Sequence, residues 1–120
     1  MINIEDIDVY FDGAELDDIS KFANDDLIKG FTTNPTLMRQ AGINDYVIFA
    51  KEAANISGNK PISFEVFSDD FENMKKEAEI ISSLSENIFV KIPITNTKGN
   101  FSGPLIKELS DNGIKLNITA

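Results

Sequence analysis

The chain has 120 residues, enough for one domain with a hydrophobic core, and carries 11 lysines and arginines against 20 aspartates and glutamates. The resulting net charge of -9 disfavours binding to nucleic acid or to an anionic membrane surface. Because the sequence has neither cysteine nor histidine, it excludes disulfides, thiol chemistry and imidazole bases and disfavours transition-metal sites, which leaves carboxylates and amines to carry any chemistry.

Short apolar runs alternate with segments of helical character along the whole chain. The five predicted strands cover residues 9–12, 30–34, 62–67, 88–93 and 115–119. This alternation predicts an α/β fold with parallel strands and right-handed crossovers. Since no linker rich in glycine, proline or serine interrupts it, residues 1–120 are expected to form one domain.

The segments between the strands predict the helices. Residues 16–23 form the first, and residues 43–56 form a longer one that leaves room for an extra short helix at residues 36–40. The clearest helix follows the third strand, with Ser68 as its predicted N-cap, an acidic first turn and apolar residues at helical spacing. A last helix covers residues 104–109.

Each predicted strand ends in polar side chains that can share one face. Because side chains alternate along a strand, a single interior can receive all of them: Asp12, Thr32, Asn34, Glu65, Lys91, Asn117 and Thr119. Such a ring of polar groups is typical of an active site.

Lys91 lies in the apolar run IFVKIPI at residues 88–94. Desolvation disfavours the ammonium form, so it lowers a lysine pKa from about 10.4 toward the ~7 to 8 at which the amine is nucleophilic. A neutral amine can form a Schiff base with a carbonyl substrate. The alternative is a strand lysine that reaches solvent or pairs with an acid, and the local sequence alone favours it.

The carboxylates of Asp12 and Glu65 could shuttle the protons that imine formation and carbon–carbon cleavage require. Ionised neighbours raise a lysine pKa while burial lowers it, and the sequence leaves open which effect dominates at Lys91. It also leaves open that Asp12 is a turn or cap residue before Gly13 and that Glu65 is a buried acid paired with a lysine.

Two further pairs, Thr32 with Asn34 and Asn117 with Thr119, supply amides and hydroxyls suited to sugar hydroxyls and an ordered water. Because a residue before proline is biased to extended geometry, Asn34 should keep the strand direction. Each of these four residues could instead be a satisfied turn residue.

Five motifs in order make the chain similar to the transaldolase family: VYFD at 9–12, GFTTNP at 30–35, ISFEV at 62–66, VKIP at 90–93 and GIKLNIT at 113–119. The resemblance implies a (β/α)8 TIM barrel with its functional residues at the C-terminal strand ends, the chain being the first five strands of a truncated barrel. It also implies transfer of a dihydroxyacetone unit between sugar phosphates, through a lysine Schiff base and without metal or organic cofactor. The expected reaction converts sedoheptulose 7-phosphate and glyceraldehyde 3-phosphate to erythrose 4-phosphate and fructose 6-phosphate in the pentose phosphate pathway.

The resemblance also assigns roles to the strand-end residues. Lys91 matches the Schiff-base lysine, and Asp12 matches the acid that moves the proton of the hydroxyl at the cleaved bond. The other matches are Glu65 and Thr119 as the pair that holds a catalytic water, Asn34 and Asn117 as amides that hold substrate hydroxyls, and Thr32 as a neighbouring contact.

Two alternatives follow from the same resemblance. The fructose 6-phosphate aldolase branch, a lyase that releases free dihydroxyacetone, has glutamine at the position of Glu65, so glutamate favours the transferase. Apart from these alternatives, one residue departs from the family: Gly13 follows the acid Asp12, where most relatives carry a small hydroxyl residue. The other alternative is a noncatalytic half-barrel, since an eight-unit barrel has about 250 residues and the family's phosphate-binding serine and arginine would lie in the three strands that are missing.

An open five-stranded parallel sheet exposes its inner face and two unpaired edges, so we expect the chain to associate with a copy of itself. Residues 1–8 are acidic and lack the basic start and apolar core of a secretory signal, and no run approaches the ~20 apolar residues of a membrane span. The expected location is therefore the cytoplasm, and the expected ligand is a sugar phosphate.

Overall fold

A computed structural model describes residues 7–120, in which strands and helices alternate. The elements in chain order are β1 (Val9–Asp12), α1 (Leu16–Ala23), β2 (Ile28–Thr32), α2 (Pro35–Gln40), α3 (Tyr46–Ile56), β3 (Ile62–Glu65), α4 (Phe71–Ser82), β4 (Ile88–Pro93), α5 (Gly103–Asp111) and β5 (Leu116–Thr119). Residues 1–6, part of the acidic start for which no secretory signal is predicted, lie outside this description.

All five strands lie in one parallel sheet, in the order β1-β2-β3-β4-β5. Each strand pairs with its neighbour in sequence, and at least one helix connects each pair. The sheet curls into a half-barrel, which confirms the predicted fold class of parallel βα repeats. None of the helices in residues 7–120 is long and apolar enough to cross a membrane.

The convex face of the sheet holds the hydrophobic core. On β4 the buried residues Ile88, Val90 and Ile92 alternate with the less buried Phe89, Lys91 and Pro93. The buried set packs with apolar residues of the helices, including Phe49, Ala53, Met74, Ala78 and Ile81. Because burial of one such large apolar side chain stabilises the fold by about 1.5 to 3 kcal/mol, this packing fixes which face of each strand points outward. The polar strand ends are left on the concave face.

Side chains that cap helices explain where the strand and helix bounds differ from the prediction. β2 covers residues 28–32 rather than 30–34, because the side chain of Asn34 caps α2 by accepting a hydrogen bond from Leu37 N at 2.9 Å. The backbone of Asn34 is extended, with φ -150° and ψ 168°, as the following proline predicts. α3 begins at Tyr46 rather than residue 43, because Asp45 Oδ1 accepts from Ile48 N at 3.0 Å.

The predicted N-cap of the helix after β3 is wrong. α4 begins at Phe71, and Asp70 Oδ2 accepts a hydrogen bond from Asn73 N at 3.0 Å. A carboxylate in this place also complements the helix dipole, which a serine hydroxyl does not. Ser68 instead donates its hydroxyl hydrogen to Glu77 Oε2 at 2.7 Å. β3 ends at Glu65 rather than at residue 67, and residues 66–70 connect it to α4 without regular structure.

The other helices differ little from expectation. α1 has the predicted bounds, and α2 is the extra short helix. α5 covers residues 103–111 rather than 104–109, and β5 begins at residue 116 rather than 115. These differences change no assignment of a side chain to a face of the sheet.

Candidate active site

Two rows of paired residues cross the concave face near the C-terminal ends of the strands. Asp12 pairs with Thr32, and Thr32 pairs with Ser63. The row two residues further along β3 runs from Glu65 to Lys91 and on to Asn117. Since neighbouring strands lie about 4.8 Å apart, side chains within a row are direct neighbours.

Lys91 stands in the middle of the second row, between a carboxylate and an amide on the adjoining strands. Within residues 7–120, no carboxylate oxygen lies within 4.0 Å of its Nζ, so the ion pair that the sequence left open is not formed there. The residue is half-buried, because the concave face of the half-barrel is open to solvent. These five strands therefore desolvate the amine only in part.

Asp12, Asn34 and Glu65 line one open cavity of about 590 Å³, between the turns that follow β2 and β3. Thr32 Oγ1 donates a hydrogen bond to Asp12 Oδ1 at 2.8 Å, which orients that carboxylate. Asn34 uses its oxygen to cap α2, so the two N–H groups of its amide can donate to a ligand.

Asn117 and Thr32 line a second cavity of about 480 Å³, which Tyr10, Pro61 and Phe89 place nearer the N-terminal ends of the strands. Asn117 Nδ2 donates a hydrogen bond to Ser63 Oγ at 3.1 Å, which fixes its amide plane. Lys91 and Thr119 line neither cavity. Thr119 pairs with Pro93, so it lies one row beyond Lys91, and β4 separates it from Glu65.

Three residues outside the predicted set, Tyr46, Phe67 and Glu77, lie around the end of β3, where Glu77 accepts a hydrogen bond from Phe67 N. Tyr46 Oη donates a hydrogen bond to the Glu65 carbonyl oxygen at 3.1 Å. Burial, and then the negative charges of Glu77 and Glu65, raise the pKa of Tyr46 well above its usual value, so the phenol keeps its hydrogen. Phe67 follows β3 and lines the first cavity. No sequence signal marks these roles, since Tyr46 belongs to an apolar helical stripe and Glu77 to an acidic helix face.

This arrangement combines one amine with two carboxylates and several amide and hydroxyl groups around the same concavity. An amine beside proton-transfer groups can form and hydrolyse an imine. Within the described range 7–120, no group of three or more acidic side chains is placed to hold a metal ion.

Comparisons with known proteins agree with the sequence motifs. Residues 9–120 match a family model described as "Transaldolase/Fructose-6-phosphate aldolase". A "Probable transaldolase" of Carboxydothermus hydrogenoformans is 39% identical over 114 residues, covering 94% of this chain and 50% of the relative. A protein of the same description from Erythrobacter litoralis is 36% identical over 111 residues, covering 92% and 48%. The chain thus spans about half the length of the curated relatives it matches.

Proposed function

The chain belongs to the transaldolase and fructose-6-phosphate aldolase family, and from this premise we propose that it takes part in transferring a dihydroxyacetone unit between sugar phosphates through a Schiff base on Lys91. The observation that carries the proposal is the placement of Lys91 on the concave face between Glu65 and Asn117, without a carboxylate bound to its amine among the described residues.

In the proposed reaction, the Lys91 amine adds to the carbonyl carbon of a ketose phosphate, and loss of water gives a protonated imine. Asp12 removes the proton from the hydroxyl on the carbon beyond the bond to be broken. The electron pair of the carbon–carbon bond then moves into the iminium, and an aldose phosphate leaves. The enamine attacks the carbonyl carbon of an acceptor aldehyde, Asp12 returns the proton, and water hydrolyses the imine.

The remaining predicted residues take supporting roles in this proposal. Glu65 lies beside Lys91 and Thr119 one row further toward the C-terminal ends of the strands. We assign to these two residues the water that moves protons at the imine. Asn34 and Asn117 bind substrate hydroxyls, with Thr32 orienting Asp12. Since the chain spans about half of its relatives, the site we propose works within a completed barrel, because binding of the remote phosphate positions the reacting carbonyl.

Sodium borohydride in the presence of fructose 6-phosphate tests this function. Reduction converts an imine to a stable secondary amine, so the mass of the intact chain should rise by the mass of the bound sugar unit only when both reagents are present. A chain whose mass stays unchanged under these conditions contradicts the proposal. Turnover that depends on an aldose phosphate acceptor distinguishes the transferase from the aldolase, which needs none.

We also propose that a second copy of the chain covers the open concave face. Within residues 7–120, β1 and β5 each pair with only one strand, and Tyr10 on the concave side is 49% exposed. Two copies would supply about the length of chain found in one relative. Multi-angle light scattering is expected to give at least twice the chain mass of 13.3 kDa, and the substitution Tyr10→Glu should lower it toward that value. A folded native monomer at micromolar concentration would contradict the association.

A further inference from the structure

We propose that Phe67 is a specificity-determining residue of this site, that its ring binds the apolar carbon–hydrogen face of the carbohydrate, and that Tyr46 and Glu77 are positioning residues that hold the ring. This inference rests on the function proposed above, since it names the part of the substrate that the first cavity receives. It concerns recognition of the sugar chain, a different step from the chemistry at Lys91.

The exposure of Phe67 is the first observation. Its side chain is 51% exposed although it is large and apolar, and it lines the cavity that Asp12, Asn34 and Glu65 share. That cavity therefore has carboxylates and an amide on some walls and an aromatic ring on another. A carbohydrate chain has the matching surfaces, because its hydroxyls can bind the polar groups while its carbon–hydrogen face lies against the ring.

The ring of Phe67 is held from α3. The ring of Tyr46 meets it edge to face, with centroids 4.4 Å apart and planes at 71°. Tyr46 also contacts the buried ring of Phe64 at a centroid distance of 6.0 Å, so the pair is anchored to the core. Its hydroxyl donates to the Glu65 carbonyl at 3.1 Å, which ties the position of the ring pair to the end of β3.

The backbone of Phe67 is held from α4. Glu77 Oε1 accepts hydrogen bonds from Phe67 N and Ser68 N, both at 3.0 Å, while Glu77 Oε2 accepts from Ser68 Oγ at 2.7 Å. Hydrogen bonds to an ionised carboxylate are stronger than those between neutral groups. The segment after β3 is therefore held by α4 through its backbone and by α3 through the ring of Phe67. A ring held in this way needs little ordering when a ligand binds, which favours affinity.

The test measures the rate of borohydride trapping as a function of ketose concentration, using the protein in its native assembly state. For Phe67→Ala, we expect the half-saturating concentration of fructose 6-phosphate to rise about tenfold, with little change in the maximal trapping rate, because one aromatic contact is lost. Phe67→Tyr should keep the native value. Free dihydroxyacetone lacks the sugar carbons that would lie on the ring. Its half-saturating concentration should therefore change less than twofold, which is smaller than the change expected from loss of one aromatic contact.

A matched control is Ile80→Ala, which removes an exposed apolar side chain, 54% exposed, from α4 without touching the cavity. It should leave both concentrations at the native value. Equal shifts for fructose 6-phosphate and dihydroxyacetone in Phe67→Ala, or no shift for either, would overturn the role of the ring. Circular dichroism identifies a variant that fails to fold, and Phe67→Leu then replaces it, with an intermediate shift expected.

Amide hydrogen exchange tests the support separately. Glu77→Gln should speed exchange at Phe67 and Ser68, leave distant amides unchanged, and raise the half-saturating concentration of fructose 6-phosphate. Unchanged exchange at both amides overturns the support. If the native chain gives no adduct, the proposed function is contradicted instead. The inference is then decided by amide exchange with and without fructose 6-phosphate. Slower exchange at Phe67 with the sugar supports binding there, and unaltered exchange refutes it.

Discussion

Lys91→Met is expected to abolish the adduct that borohydride traps with fructose 6-phosphate and to reduce turnover to background. Methionine has a similar length and keeps the apolar contacts of β4, while it removes the only atom of the side chain that can form an imine. Because Lys91 has no carboxylate partner within 4.0 Å among residues 7–120, the substitution breaks no ion pair there, and the free energy of unfolding should change little.

Lys115→Met is the matched control for this prediction. Lys115 precedes β5, at the opposite end of the strands, and its Nζ donates to the Glu86 carbonyl oxygen at 2.8 Å. We therefore expect this variant to form the adduct to the native extent. An adduct that persists in Lys91→Met, or disappears in Lys115→Met while the fold is intact, would contradict the assignment of the amine.

Asp12→Asn is expected to slow carbon–carbon cleavage by about 10² to 10⁴-fold, the usual range for loss of a proton-transfer group. The amide is nearly isosteric with the carboxylate, and its oxygen can still accept the hydrogen bond from Thr32 that is 2.8 Å long in the native chain. Imine formation at Lys91 should continue, since the carboxylate is assigned to the later step. The measurement compares release of glyceraldehyde 3-phosphate from fructose 6-phosphate with the amount of trapped adduct.

Asp18→Asn provides the control, because Asp18 is an exposed acid in the first turn of α1. It should leave both cleavage and trapping at native rates. If Asp12→Asn cleaves at the native rate, the proposed proton transfer is wrong. If it loses trapping and cleavage to the same extent, Asp12 acts in binding or in imine formation rather than at the cleaved bond.

The sheet could be predicted from the sequence because its signals are local. Alternation of apolar strands with helical segments predicted the order and the parallel topology, and the two-residue period placed Lys91 opposite the buried Val90 and Ile92. The same period predicted that Asp12, Asn34 and Glu65 share a face, and these three residues line one cavity. Their roles in catalysis stay predictions.

Contacts between separate elements could not be predicted from the sequence. The Tyr46 hydroxyl reaches a backbone carbonyl of β3, and Glu77 reaches a turn nine residues before it, so neither contact follows from a period or a motif. The N-cap of α4 was misplaced because Ser68 and Asp70 are both good capping residues, and only the contact of Ser68 with Glu77 separates them. Tertiary packing decided each case.

The degree of burial of Lys91 could not be predicted from the sequence either. An apolar run predicts a buried strand, and one face of β4 is buried as expected. The other face lies on the open side of the half-barrel, so the amine is only half-buried. The apolar run therefore predicts the buried face of β4, while the exposure of Lys91 depends on what covers the other face.

Peptide mass analysis after borohydride reduction with fructose 6-phosphate tests the central claim most directly. The account predicts that the sugar-derived mass lies on the peptide containing Lys91 and on no other lysine peptide. Modification of other lysines while the Lys91 peptide remains unmodified would contradict it.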